Sequence, residues 1–123
     1  MPFLNDRVFD NGLTVLDTEA NAIHVTSQEA TTYTGATSTY TLGNSTGLSI
    51  GSPADRSGGG REVTVAAITD GSITATGTAT HYAIVDTVNS RLLVTGSLSS
   101  SQSVTSGNTF SLASFKIGIP DPA

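Results

Sequence analysis

The stretch GSITATGTATHYAIVDTVNSRLLVTGSL, residues 71–98, decides the fold. Threonine occupies every second position from Thr74 to Thr80, with Ala75, Gly77 and Ala79 between them. A period of two belongs to a strand, whose successive side chains point to opposite faces. Two apolar runs, Ala83 to Val85 and Leu92 to Val94, then flank the polar TVNS at 87–90. That arrangement predicts a hairpin whose arms lie centrally, between layers or beneath a neighbouring subunit. His81 ends the threonine row. In strict alternation it shares a face with Ile73, Ala79, Ala83 and Val85 and packs under another layer. A bulge at the interior Gly77 would reverse this, turning His81 outward and Tyr82 inward.

The same period recurs on both sides of this segment. AIHVTS, residues 22–27, alternates Ile23 and Val25 with His24 and Thr26. FSLASFKIGI, residues 110–119, alternates cleanly from Phe115 to Ile119. Asn11-Gly12 and Asp70-Gly71 are hairpin-turn signals, and Ser106-Gly107-Asn108 is another turn. Gly35 marks a bend within the polar, aromatic stretch 31–43. Residues 43–61 form the longest irregular stretch, with an exposed loop from Pro53 to Gly60. No helix is expected; the β-branched residues and glycine of 90–104 oppose one. Strands spaced about every ten residues with turns between them read as a sandwich or barrel. The expected architecture is all-β: a single-domain antiparallel β-sandwich or small barrel over 10–123, preceded by an extended N-terminal arm, 1–9.

Composition narrows the function classes. The chain has 123 residues, a formal charge of −5, only 12% charged residues and no cysteine. A domain of this size buries roughly 65% of its unfolded surface and folds without disulfide staples. The acidic balance disfavours nucleic-acid binding, which needs cationic side chains along the phosphates. The opening MPFLNDRVFD has no basic region followed by an apolar run, so a soluble chain without an export signal of the usual kind is expected. No apolar stretch is long enough to span a bilayer.

Each candidate site has a plainer structural reading. His81 lacks a G-x-S-x-G elbow or a cysteine nucleophile beside it, so a packed or edge histidine is expected. His24 and His81 lie far apart in sequence, and no third metal ligand is marked by spacing. Asp17, Glu19 and Asn21 open like a calcium loop, but Ala22 stands where glycine is required and Gln28 where glutamate is. RSGGGRE, residues 56–62, lacks the Lys-Ser/Thr pair of a phosphate-binding loop. Tyr33, Tyr40 and Tyr82 have ring faces suited to sugars or bases, yet tyrosine is also an ordinary strand residue.

Three segments taken together resemble a known group. NGLTVLDTEANAIHVTSQEATTYTGATSTYTLG, VTVAAITDGSITATGTATHYAIVDTVNSRLLVTGSL and SVTSGNTFSLASFKIGIP look like small virion proteins of tailed bacteriophages. TATHYAIVDTVNSRLL and the VTSGNTF turn carry most of the likeness. The resemblance implies a capsid decoration (cement) protein on the outer surface of the head, assembled in the host cytoplasm. Its implied partners are the major capsid protein and itself, as a homotrimer. The group has no catalytic motif, so neither enzymatic activity nor a cofactor is expected, and no functional residue carries over. Phe3, Leu4, Val8 and Phe9, apolar residues in the arm, are the expected capsid contacts. The alternative is a tail or head-fibre accessory domain touching host glycan through Tyr33, Tyr40 and the 53–60 loop.

Overall fold

The computed structural model describes residues 12–57 and 60–119. Nine strands account for most of them: β1 (Ala22–Thr26), β2 (Thr41–Ser45), β3 (Ala54–Asp55), β4 (Arg61–Val65), β5 (Ile68–Ile73), β6 (Gly77–Asp86), β7 (Arg91–Val104), β8 (Thr109–Leu112) and β9 (Phe115–Ile119). Every pairing is antiparallel. Six strands curl into a half-barrel in the order β7-β6-β1-β2-β5-β8, and three form a small sheet, β3-β4-β9. The all-β, antiparallel expectation is met.

The main core lies between the two sheets. Ile23, Ile84 and Leu93 from the half-barrel meet Val63, Val65 and Ile117 from the small sheet. Leu13, Val15 and Leu16 complete it from a short helix, α1 (Thr14–Glu19). That helix corrects the expectation of no helix and of a hairpin at Asn11-Gly12. Gly12 does turn the chain, at φ +72°. Leu13 and Leu16, three apart, then fall on one helical face and are buried, so core burial overrides the weak helix propensity of Thr14 and Val15.

Two other glycines read as punctuation are part of the sheet. Asp70-Gly71 is not a hairpin turn but lies inside β5, at an irregularity in its pairing with β8. A Cβ on Gly71 would sit 2.3 Å from the Phe110 ring, so glycine here admits an aromatic ring lying across the strand. Gly43, read as the start of an irregular stretch, lies in β2, paired to Val25 on one side and Ile73 on the other. The two ends of the 53–60 loop are paired: Ala54 pairs with Glu62, and Arg61 Nη1 donates to Asp55 Oδ1 at 2.7 Å. Gly35 opens a single π-helical turn, Gly35–Thr39, closed by the Tyr40 N–H donating to the Gly35 carbonyl at 2.9 Å.

The hairpin at 87–90 forms as expected, between β6 and β7. Ala83 to Val85 and Leu92 to Val94 are buried on both faces, although β7 stands at one end of the sheet among the described residues. The bulge lies further along than Gly77. Ala79 pairs with Gln102, but His81 pairs with Ser97, so Leu98 to Ser101 all stand opposite Thr80. The face of β6 reverses at that point. Ala79 packs with Val25, Leu42 and Ile73, and two residues beyond the bulge Tyr82 pairs with Val25 on the same face.

Candidate functional site

The reversal at Thr80 brings the two histidines together. On β1, Ala22, His24 and Thr26 share one face and pair with Val85, Ala83 and His81 on β6. His24 and His81 are therefore diagonal neighbours on adjacent strands. Residues 27–40 cover this face, seating Ala30 and Ala36 against Ala22, Ala83, Val85 and Leu92. Tyr33 and Tyr40 pack against the same cluster and are half-buried. The structure thus brings the two tyrosines to one apolar cluster, against which both pack.

A threonine hydroxyl meets Nδ1 of each imidazole. His24 Nδ1 lies 2.9 Å from Thr41 Oγ1, which donates its own proton to the Gly43 carbonyl. His81 Nδ1 lies 2.8 Å from Thr80 Oγ1, which donates to the Ser27 carbonyl. A hydroxyl has one proton, so in each pair the ring Nδ1–H is the donor. Among the described residues neither ring meets a serine hydroxyl or a carboxylate, the partners a nucleophilic triad requires. No group of three His, Asp or Glu among them is placed to hold a metal ion. Glu19 and Asn21, two residues of the incomplete calcium-loop pattern, brace the hairpin. Glu19 faces Arg91 at 3.4 Å, and Asn21 Oδ1 accepts the Thr87 N–H at 3.0 Å.

Burial pushes the His24 pKa below its ordinary 6.5, so the ring is neutral at pH 7. The unfolded chain takes up this proton near pH 6.5 and the folded chain resists it. The contribution of His24 to stability is full above that pH and is lost as pH falls through the depressed folded value. Thermal melts are expected to drop between pH 7 and pH 5. His24→Asn, which keeps a donor for Thr41, should flatten that part of the profile; an unchanged slope would remove His24 as its source.

A second feature lies where the half-barrel fails to close. Strands β7 and β8, at the two ends of the described six-stranded sheet, are joined by a short turn at 105–108 yet do not pair with each other. Two adjoining clefts of about 410 Å³ each open between them, sharing Leu98, Ser99, Leu112 and Ala113 in their walls. The narrow end is pinned. Ser106 N–H donates to Thr76 Oγ1 at 3.1 Å, and Gly107 N–H donates to the Ile73 carbonyl at 2.9 Å. The wide end holds Tyr82 and Phe115, ring centroids 4.7 Å apart. Burial raises the Tyr82 pKa, keeping its phenol protonated.

Glycines shape this seam. The Tyr82 ring crosses Gly96, where a Cβ would lie 2.6 Å from the phenol oxygen, as Phe110 crosses Gly71. Aromatic rings laid over cross-strand glycines replace the missing side-chain contacts and fix the ring orientation. Leu98, Val104, Phe110 and Leu112 give the seam an apolar floor, and Ser99, Ser103 and Ser111 an exposed hydroxyl rim. Its one ionised lining residue, Lys116, is paired with Glu62 at 2.9 Å. In the sequence, Tyr82 stands out only as a tyrosine that a bulge would turn inward, and Phe115 only as the start of an alternating run. The signal present, a glycine in each of two apolar strands, could not say which ring would cross it.

The expected capsid contacts Phe3, Leu4, Val8 and Phe9 lie outside the described residues. No protein-family model matches the chain, and no curated protein or solved structure is found to resemble it. Among the described residues no helix is long and apolar enough to cross a membrane.

Proposed function

We propose that the chain is a non-catalytic binding subunit of a tailed-phage particle, a capsid decoration protein that covers and stabilises the head. The supporting observation is the seam, a cleft with an apolar floor and a hydroxyl rim between facing edges of β7 and β8 that do not pair with each other. Such edges recognise protein by adding an extended strand, with main-chain hydrogen bonds for affinity and side-chain pockets for specificity. Burial of the apolar floor would supply roughly 25 cal/mol per Å² removed from water. Electrostatic steering would contribute little, because the one ionised group in the seam is already paired.

The test is the copy number of this chain in purified particles, by quantitative mass spectrometry against the major capsid protein. A simple lattice fraction is expected. A few copies per particle would favour the second reading, a tail or head-fibre domain, which the ring of Phe110 beside serine hydroxyls suits as a glycan contact. Absence from particles would overturn both.

A further inference from the structure

Residues 27–40 leave β1 and return to β2 across the face that holds both histidines. A segment of this length whose ends meet is a compact Ω-type loop. The Ser27 N–H donates to the Tyr40 carbonyl at 3.0 Å, and inside the loop the Ala36 and Tyr40 N–H groups donate to the Thr32 and Gly35 carbonyls. Threonine hydroxyls fasten the loop to the sheet. Thr26 Oγ1 donates to the Gln28 carbonyl at 2.8 Å, Thr80 Oγ1 to the Ser27 carbonyl at 2.9 Å, and Thr95 Oγ1 to Glu29 Oε2 at 3.3 Å.

The histidines stand at the two ends of this loop. Thr80, which holds Ser27, accepts from His81, and Thr41, which follows the last loop residue, accepts from His24. On β1, His24 stands between Ala22, against which the loop packs, and Thr26, which holds Gln28. His24 is 6% exposed, and its Nε2 has no hydrogen-bond partner among the described residues. A positive charge on the ring therefore needs water to enter. The strands do not yield readily, because β1 is paired on both sides, to β2 and β6. The loop, held by side-chain hydroxyls and small apolar contacts, costs less to lift. The other titratable groups of the elements around His24 are His81 on β6 and Glu29, Tyr33 and Tyr40 on the loop; β2 has none. Of the rest on β6 and β7, Tyr82 lies in the seam, and Asp86 and Arg91 at the hairpin.

We propose that residues 27–40 are an acid-released lid: a proton on His24 frees the loop from the β1–β6 face while both sheets stay folded. With the lid open the ring is hydrated and takes its proton near its ordinary 6.5. With the lid closed it resists, so opening becomes more favourable as pH falls below 6.5 and levels off beneath the closed value. Opening uncovers Ala22, Ala83 and Val85. The lid operates in the free chain, whatever the copy number on heads.

The chain has no cysteine, so Ala83→Cys places a single thiol beneath the lid. Its alkylation rate is divided by that of the same chain unfolded in urea at the same pH, which removes the pH dependence of the thiol itself. The ratio is expected to rise several-fold between pH 7.5 and pH 5.5, with about tenfold as the limit for one proton. Amides of β4 and β9 should keep their hydrogen-exchange protection over that range. In Ala83→Cys/His24→Asn the ratio should not change with pH. A pH-independent ratio with His24 in place, or a pH dependence that survives His24→Asn, would overturn the proposal. So would loss of protection in β4 and β9 in step with the ratio, which would mean that acid unfolds the whole chain. Ala22→Cys, on β1 in the same apolar cluster, is the second reporter and decides the matter if Ala83→Cys does not fold.

Discussion

Gly43→Ala is expected to destabilise the protein by about 3 kcal/mol, the upper end for forcing a methyl group into a packed site. Gly43 is buried in β2, between Val25 on β1 and Ile73 on β5. An added Cβ would stand 2.4 Å from the Ser72 carbonyl oxygen and 3.0 Å from Ile73 Cα. Both are backbone atoms of a paired strand, so no side-chain rotation relieves the overlap. Strand β5 must move away from β2, which also strains the bonds from the Thr74 and Ala75 N–H groups to the Leu42 carbonyl. Gly51→Ala is the matched control. Nothing lies within 4 Å of its Cβ position, and its backbone does not require glycine. There the loss of unfolded-state freedom should leave stability unchanged or raise it by about 0.4–1 kcal/mol. Urea unfolding of both variants reads the difference as a midpoint shift at constant slope. Equal midpoints would mean that β2 and β5 are not packed as described.

The same glycine shows which parts of the fold the sequence can convey. The β6–β7 hairpin was legible because its causes are local: two apolar runs, a four-residue polar turn and a period of two. The turn around Gly107 was legible for the same reason, and its φ is +90°. Gly43, Gly71 and Gly96 carry a different message, close approach by another strand or ring. What approaches them, Ser72, Phe110 and Tyr82, sits elsewhere in the chain. A glycine that permits a turn and one that admits an aromatic ring are identical in a sequence. Helix α1 was hidden likewise, because Leu13 and Leu16 become helical neighbours only once a core exists to bury them. The candidate site had the same limit. His24 and His81 could be seen as strand residues, but their diagonal placement depends on the register of β1 against β6. The seam depends on a failure of two strands to pair, which no local pattern encodes.

Where the local signal was strongest, one buried carboxylate holds the turn, and its removal should be costly. Asp86 is 1% exposed at the end of β6. Its Oδ1 accepts the backbone N–H groups of Val88 at 2.9 Å and Asn89 at 3.3 Å, and its Oδ2 accepts the Asn89 side-chain amide at 2.8 Å. Burial raises the pKa, but the Asn89 and Val88 hydrogen bonds, with the charge of Arg91, outweigh it and hold the carboxyl below its ordinary 3.8. The same turn places Ser90 in the left-handed region, φ +55°, which is uncommon for a non-glycine residue. Hydrogen bonds to a charged acceptor are worth about 1.5–3 kcal/mol, and Asp86→Ala removes a set of them at once. A loss of about 3 kcal/mol is expected, from the most extensively paired hairpin of the half-barrel. Asp86→Asn keeps an acceptor for the two N–H groups and should lose about 1 kcal/mol, the worth of a neutral bond replacing a charged one. The pH dependence separates charge from shape. Because the folded pKa is depressed, the contribution of Asp86 is complete above pH 3.8 and is lost as pH falls through the folded value. The native chain should therefore lose stability in acid more steeply than Asp86→Asn, and the two curves should converge at the lowest pH. Parallel curves would show that the carboxylate acts by shape alone.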